Sequence, residues 1–259
     1  MYHITAIAAF KDNYIWCLHH QGKAVLVDPG DAELVTAFLT AHQLEPVAIL
    51  VTHHHWDHVD GIPALQQHWP ELAVYISAGE RDKTRHQLKN CHIVSDTMQF
   101  VVQELQLTFS VLAVPGHTLS HVAYFCQLQA QEPVLFCGDT LFSVGCGRLF
   151  EGTHQQMYQS LGKINTLQGN TQIYCTHEYT LANLQFAKEV EPDNNAIVEH
   201  RVWCETRRAA NQPTLPTSLE KERQINPYLR CEIPALQQRW QQQNGADLFR
   251  FLRLWKDRY

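Results

Sequence analysis

Several things are missing from this sequence, and each absence removes a class of protein. The eight cysteines, Cys17, Cys91, Cys126, Cys137, Cys146, Cys175, Cys204 and Cys231, contain no CxxC pair and sit in apolar segments. In a chain this long no disulfide framework is needed, so they read as small core residues in a reducing cytoplasm. There is no run of basic residues, and 26 Asp and Glu outnumber 20 Lys and Arg for a net charge of −6, which excludes nucleic acid as a partner. No apolar run approaches the ~18 residues of a membrane span, and Met1 to Phe10 carries no basic region ahead of a long apolar stretch. A soluble, unexported protein with no membrane partner is expected. A GxSxG elbow is absent and no Cys/His nucleophile pair is evident, so covalent catalysis by serine or cysteine is not the expected route.

What remains is a globular composition, with 45% hydrophobic and 18% charged residues in 259 positions, enough for one large domain or one domain with an appendage. Short apolar runs bounded by turn residues predict strands at 2–7, 14–18, 24–27, 47–51, 73–76, 105–114, 122–128, 134–137 and 173–175. Helical spacing follows Asp31 to about His42 and recurs at 61–69 and 154–167. Beyond residue 175 the texture turns helical, at 181–190, 196–210, 235–242 and 246–256, and Pro213, Pro216 and Pro227 break it between 211 and 227. The expected fold is an α/β body followed by a helical carboxy-terminal part.

The 16 histidines are the unusual count, and their placement carries the chemistry. Thr52-His53-His54-His55-Trp56-Asp57-His58 follows directly on the apolar run Val47–Val51, at a strand end. In a tight turn His53 and His55 face one way and Asp57 and His58 another, so one loop offers two pairs of ligands to two neighbouring ions. Neutral imidazole and carboxylate suit zinc, iron or manganese. Three later segments repeat the grammar of apolar run, small turn residue and ligand, ending in His117, Asp139 and His177. Ligands in α/β proteins gather at the carboxyl ends of strands, so these signals are expected to converge. If Asp139 bridges, each of two ions receives three further ligands with room for a shared water, the arithmetic of a two-metal hydrolase. Asp57 and Asp139 are then the carboxylates expected to take part in catalysis. His54 lies between ligands but points away, and Trp56 is expected to pack rather than touch substrate.

With these residues in view, the sequence resembles the metallo-β-lactamase superfamily, whose HxHxDH motif is matched by His53, His55, Asp57 and His58. Within it the likeness to the glyoxalase II (hydroxyacylglutathione hydrolase) family covers essentially the whole chain, through Pro115-Gly116-His117-Thr118, the segment Phe136–Phe142, Gly145-Cys146-Gly147-Arg148, His177-Glu178-Tyr179, Asn226-Pro227 and Arg253-Leu254-Trp255-Lys256-Asp257. The resemblance implies a four-layer αββα sandwich over residues 1–177 and a helical glutathione-binding domain over 178–259. It implies one ion on His53, His55 and His117, a second on Asp57, His58 and His177, and Asp139 bridging. Zinc is the first expectation, with iron or manganese admitted. Arg148, Tyr179, Arg253 and Lys256 fall on glutathione-binding positions. Phe150 stands where some members carry tyrosine, which implies one hydroxyl contact fewer.

The implied reaction is hydrolysis of S-(2-hydroxyacyl)glutathione, such as S-D-lactoylglutathione, to glutathione and D-lactate in methylglyoxal detoxification, by a hydroxide shared between the ions. The implied enzyme is a cytoplasmic monomer. A thiol of pKa about 8.5 is a good leaving group, so the lack of a dedicated acid is no defect. Competing readings are a lactonase, a β-lactamase or an iron-dependent persulfide dioxygenase, none of which requires the Arg253/Lys256 pair, and a structural metal protein, whose site would be closed by four protein ligands.

Overall fold

Alternating apolar runs and turn residues make the first ten strands, in chain order with their helices: β1 (His3–Ala9), β2 (Asn13–His20), β3 (Lys23–Val27), α1 (Ala32–Ala41), β4 (Glu45–Leu50), α2 (Trp56–Val59), α3 (Ile62–His68), β5 (Ala73–Ser77), α4 (Ala78–Lys83), β6 (Cys91–Val94), β7 (Gln99–Val102), β8 (Leu107–Ala113), β9 (Val122–Cys126) and β10 (Val134–Gly138). In the computed structural model, which describes all 259 residues, these belong to a unit formed by Met1–Ala113 and Ser120–Gly138. One sheet runs β1-β2-β3-β4-β5-β6. Its first two pairings are antiparallel, and the Gln21-Gly22 turn between β2 and β3 has positive φ at both positions (48° and 78°), the geometry of a tight hairpin. From β3 onward the pairings are parallel, so the chain needs crossovers. Helix α1 supplies the first: Asp31 caps it by accepting from the Leu34 N–H at 3.0 Å, and Val35 and Leu39 enter a core shared with Leu26, Ile49, Val51, Ile62, Leu65 and Val74. The second set of strands, β7 to β10, pairs antiparallel in sequence order.

The other unit comprises Val114–Leu119 and Asp139–Tyr259. It contains β11 (Leu141–Phe142), β12 (Gly145–Cys146), α5 (His154–Ile164), β13 (Gln172–Cys175), α6 (Thr180–Val190), α7 (Asn195–Ala209), β14 (Thr217–Ser218), α8 (Leu219–Ile225), α9 (Pro234–Arg239) and α10 (Gly245–Lys256). Thr153 begins α5 with a capping box to Gln156. Val144, Leu184, Ala187, Ile197, Cys204 and Ile225 form a core here.

The expected class, α/β with a helical carboxy-terminal region, is the one observed. Strands β6, β7, β11, β12 and β14 and helices α2, α4 and α8 are additions to the sequence reading, and α8 falls inside the stretch read as a break. Every cysteine is a free thiol and all but Cys91 are buried; burial pushes the thiols of Cys17, Cys126 and Cys204 up to about 12, as inert core residues require. No helix is long and apolar enough to cross a membrane.

Candidate metal centre

The first cluster of donors grows from the end of β4. Immediately after the strand, Thr52 is anchored twice to Asp28 at the end of β3, its N–H donating at 2.8 Å and its hydroxyl at 2.6 Å. Asp28 takes a positive φ of 52° to do this. The loop must also pass close to the Asp28-Pro29-Gly30 turn, and a Cβ on Gly30 would fall 2.0 Å from the Asp57 carbonyl oxygen, so only glycine fits there. Held in this way, His53 and His58 are fully buried with ring centroids 3.9 Å apart, and His53 Nε2 lies 3.0 Å from His55 Nδ1. His58 Nε2 lies 3.6 Å from Asp57 Oδ2.

Neighbours set which nitrogen is offered. His58 Nδ1 sits 3.0 Å from Asp28 Oδ2, so the carboxylate draws the proton to Nδ1 and leaves the Nε2 lone pair. Asn13 donates its amide to Asp57 Oδ2 at 2.8 Å. His54 turns the other way, as expected: its N–H donates to Glu80 Oε2 at 3.0 Å and its Nδ1 lies 2.5 Å from the same oxygen. Glu80 is buried and also accepts from the Ser120 N–H. Trp56, expected to pack rather than touch substrate, meets Phe10 edge-on at 4.9 Å and is 54% exposed. Asp28, Asn13 and Glu80 were not singled out as site residues, and only Asp28, in its Pro-Gly turn, gave any local signal.

The second cluster is built from His117, Asp139 and His177. Asp139 is buried, and its Oδ2 lies 3.5 Å from His117 Nε2 and 3.3 Å from His177 Nε2. One carboxylate oxygen thus faces two imidazole nitrogens. His117 Nδ1 is 2.7 Å from the Arg148 carbonyl, which can only accept, so Nδ1 carries the proton and Nε2 is the free lone pair. Asp139 opens the β11–β12 hairpin, whose turn is clamped from the helices: Asn226 donates to the carbonyls of Phe142 and Gly145 at 3.1 and 3.0 Å, and buried Glu222 accepts from the Val144 N–H at 2.7 Å.

Around this second cluster the residues expected to bind substrate take different positions. The Arg148 side chain is 64% exposed, with Nε 3.9 Å from Asp257 Oδ1 and the guanidinium carbon 5.8 Å from the Phe150 ring centre. Phe150 is exposed and meets His117 edge-on at 5.2 Å. Tyr179 stacks on His177 at 4.7 Å with the rings nearly parallel. Lys256 is half-buried, donates to the Ala182 carbonyl at 3.2 Å, and is pushed down to about 8 by burial and then by Arg253. Arg253 is 5% exposed, and its guanidinium donates to the Cys146 carbonyl and to Asp257, both at 3.0 Å.

Clustered imidazoles and carboxylates at strand ends of an α/β body are the equipment of a metal-dependent hydrolase. Residues 11–177 match the metallo-beta-lactamase superfamily, and residues 178–259 match the hydroxyacylglutathione hydrolase C-terminus. The hydroxyacylglutathione hydrolase of Nitrosomonas eutropha is 45% identical over 266 residues, covering all of both chains. That of Salmonella gallinarum is 48% identical over 230 residues, covering 88% of this chain and 87% of its own. Among solved structures, the BLEG-1 B3 metallo-beta-lactamase aligns with a TM-score of 0.65 at 25% identity, over 88% of this chain and 99% of its own. The chain belongs to the hydroxyacylglutathione hydrolase family of the metallo-beta-lactamase superfamily. It is an enzyme, a thioester hydrolase, as its sequence led us to expect.

Proposed function

We propose that this enzyme cleaves S-(2-hydroxyacyl)glutathione, S-D-lactoylglutathione among its substrates, to glutathione and a 2-hydroxy acid, with two divalent ions held by His53, His55, Asp57, His58, His117, Asp139 and His177. The observation that carries the reading is the donor grouping. Within one unit His53 Nε2 lies 3.0 Å from His55 Nδ1 and His58 Nε2 lies 3.6 Å from Asp57 Oδ2, and within the other Asp139 Oδ2 lies 3.5 Å from His117 Nε2 and 3.3 Å from His177 Nε2. These nitrogen and oxygen donors fit zinc first, and iron or manganese as well. Bound there, the ions would supply Lewis-acid polarisation of the thioester carbonyl and would make water a better nucleophile near neutral pH.

The protein's own residues do the rest. Asp139, facing two imidazoles through one oxygen, is the proposed bridge, and Asp57, oriented by Asn13, completes the carboxylate pair. Asp28 and the Arg148 carbonyl hold the ligand tautomers of His58 and His117, so no proton has to move for the donors to serve. Exposed Arg148, with Tyr179, Arg253 and Lys256, is proposed to bind the carboxylates and backbone of glutathione. The departing thiolate, of pKa about 8.5, needs no general acid. The reading carries with it a monomer in the cytoplasm, with zinc as resident metal and a place in methylglyoxal detoxification, and a division into a metal-binding part at 1–177 and a glutathione-binding part at 178–259.

Steady-state hydrolysis of S-D-lactoylglutathione, with elemental analysis of the same sample, tests it. Two ions per chain and turnover of the thioester, with no turnover of a lactone or β-lactam panel, are expected. Asp139→Ala should remove most activity and loosen both ions, because it deletes the one shared ligand. Full activity with no more than one ion per chain rejects the dinuclear centre.

A further inference from the structure

Histidines also gather at the end of the first unit opposite the HxHxDH loop. Strands β1 and β2 pair antiparallel with His3 directly across from His19, and the two rings stack with centres 5.5 Å apart and planes 24° off parallel. Side chains alternate along a strand, so His3 and His19 share a face with Ile7, Ala9, Ile15 and Cys17, the core residues against which Val35 and Leu39 of α1 pack. His42 caps the carboxyl end of that helix. Its neighbour Gln43 returns the chain to the β2–β3 hairpin: a Cβ on Gly22 would lie 3.9 Å from the Gln43 carbonyl oxygen, and the Glu45 N–H donates to the Gly22 carbonyl at 2.8 Å. Three imidazoles from β1, β2 and the end of α1 are thus brought to one corner of the unit.

This corner lies apart from the metal-binding loop. Strand β4 begins beside it at Glu45 and ends just before the loop, and its 6 residues rise by about 20 Å. His3 and His42 are exposed and His19 is half-buried, so all three rings can be reached from water. Burial, and after it His3 and His42, holds His19 below the usual imidazole range, so at neutral pH its ring is uncharged and keeps a lone pair. The Thr5 hydroxyl lies 3.3 Å from His19 Nε2 and can take the proton of that nitrogen, which leaves Nδ1 as the donor. Phe38 backs the His42 ring at 4.2 Å, centre to centre. The spacing of His3 and His19 fits a shared ion, because two imidazoles on one tetrahedral zinc, with Zn–N bonds of about 2.0–2.1 Å, have ring centres about 5 Å apart. A helix carboxyl end also carries partial negative charge that favours a cation, and the last turn of α1 has no basic side chain to supply one.

We propose that His3, His19 and His42 form a separate, peripheral site for a divalent ion of the zinc, nickel and copper group, with Thr5 orienting His19. Imidazole is the ligand these ions share, and an all-nitrogen set disfavours magnesium and calcium, which take oxygen donors. Three protein ligands leave water on the ion, and its occupancy ties the β1–β2 edge of the sheet to the end of α1. The ion takes no part in thioester hydrolysis, so the site stands whether or not the dinuclear reading does.

Protein carrying its retained ions is freed of loose metal by gel filtration, and uptake of added Zn²⁺ is followed by equilibrium dialysis for wild type, His3→Ala, His19→Ala, His42→Ala and a control, His20→Ala. His20 points to the other face of β2, with Nδ1 2.9 Å from the Met1 carbonyl oxygen. Wild type should take up one further Zn²⁺ per chain, saturably, above what it retains. Loss of a partner that only orients a metal ligand costs about tenfold or more in affinity, so loss of a ligand itself should weaken this uptake at least about tenfold in each of the three variants. His20→Ala should bind as wild type does. No saturable uptake by wild type overturns the proposal, and so does uptake that the three substitutions leave unchanged or that His20→Ala weakens equally. Where His19→Ala, the half-buried member, does not fold, the exposed His3→Ala and His42→Ala carry the test. In wild type labelled with nitrogen-15, the ring signals of these three histidines, assigned by their loss in the variants, should shift together as Zn²⁺ is added; shifts confined to other histidines overturn the site. Turnover of S-D-lactoylglutathione should be the same in all four variants, and a fall that tracks loss of the further ion overturns its peripheral standing. A retained complement below two ions, or an intact thioester, counts against the dinuclear reading and leaves the count of added Zn²⁺ untouched.

Discussion

At the scale of single residues, neighbours in sequence have opposite assignments. His54 and His55 are adjacent, yet His54 bonds to buried Glu80 through both its N–H and its ring, whereas His55 turns its ring to His53. His54→Ala leaves the backbone N–H bond to Glu80 in place and should cost little bound metal, with activity within about threefold of wild type. His55→Ala removes a donor and should lose metal and activity by about 10–100-fold, the range seen when a metal's coordination sphere is disturbed. Elemental analysis and kcat/KM on both variants check this, and equal metal loss in the two would show that the register through the loop is wrong. The proposed ligands were legible because HxHxDH compresses four donors into one strand-end loop. Their orienting partners were not: Asp28 reaches Thr52 across 24 positions, Glu80 reaches His54 across 26 and Asn13 reaches Asp57 across 44. Such bonds exist only after strands have paired, and no local spacing announces them. The burial of Arg253 is of the same kind, since its partner Cys146 is 107 residues away. Arg-x-x-Lys spacing on a helix says that two cations share a face and not what covers it.

At the scale of elements, long apolar runs found their strands and most helices were placed to within a few residues. The misses share a cause. Strands β11, β12 and β14 have two residues each, too short for any periodicity, and β6 and β7 have only four. Helix α8 was hidden because prolines at 213, 216 and 227 flank it, but proline excludes a helix only where it stands. Ser218 caps α8 by accepting from the Lys221 N–H, and seven helical residues fit between Pro216 and Pro227. This short helix carries Glu222, which accepts from the Val144 N–H, from Thr217 and Ser143 hydroxyls and from Asn226, all buried. Burial pushes the Glu222 carboxyl above its usual range, and these four hydrogen bonds work against that rise. Removing the acceptor strands several buried donors at once. Glu222→Ala should therefore destabilise the fold by on the order of 3 kcal/mol. Urea unfolding measures it, and a loss under about 0.5 kcal/mol, the range of ordinary surface changes, would show that the clamp on the β11–β12 turn is not structural. Because the folded pKa is raised, any stability carried by this titration is present below the unfolded carboxyl pKa and is lost as pH rises through the folded value.

At the scale of the whole molecule, a protein of net charge −6 has to hold an anionic substrate, so recognition depends on local cations that outweigh the overall field. Burial, and after it the nearby Arg253, lowers Lys256 to about 8, so it is cationic below that pH and neutral above. If Lys256 binds a glutathione carboxylate, that attraction is present at neutral pH and is lost as pH rises through about 8. KM for S-D-lactoylglutathione should then rise about threefold between pH 7 and pH 9 through this group, and kcat should change less, because a contact remote from the reacting carbonyl is equal in ground and transition states. Lys256→Arg, whose cation does not titrate there, should remove that part of the rise, and Lys256→Ala should show the high KM already at pH 7. Added salt should raise the wild-type KM at pH 7 more than that of Lys256→Ala, since only the former keeps the charge to be screened. Comparing KM across pH for the three proteins separates this from every titration they share. Parallel pH profiles for wild type and Lys256→Arg would remove Lys256 from the glutathione site and leave Arg148 and Arg253 as the proposed cations that hold the substrate.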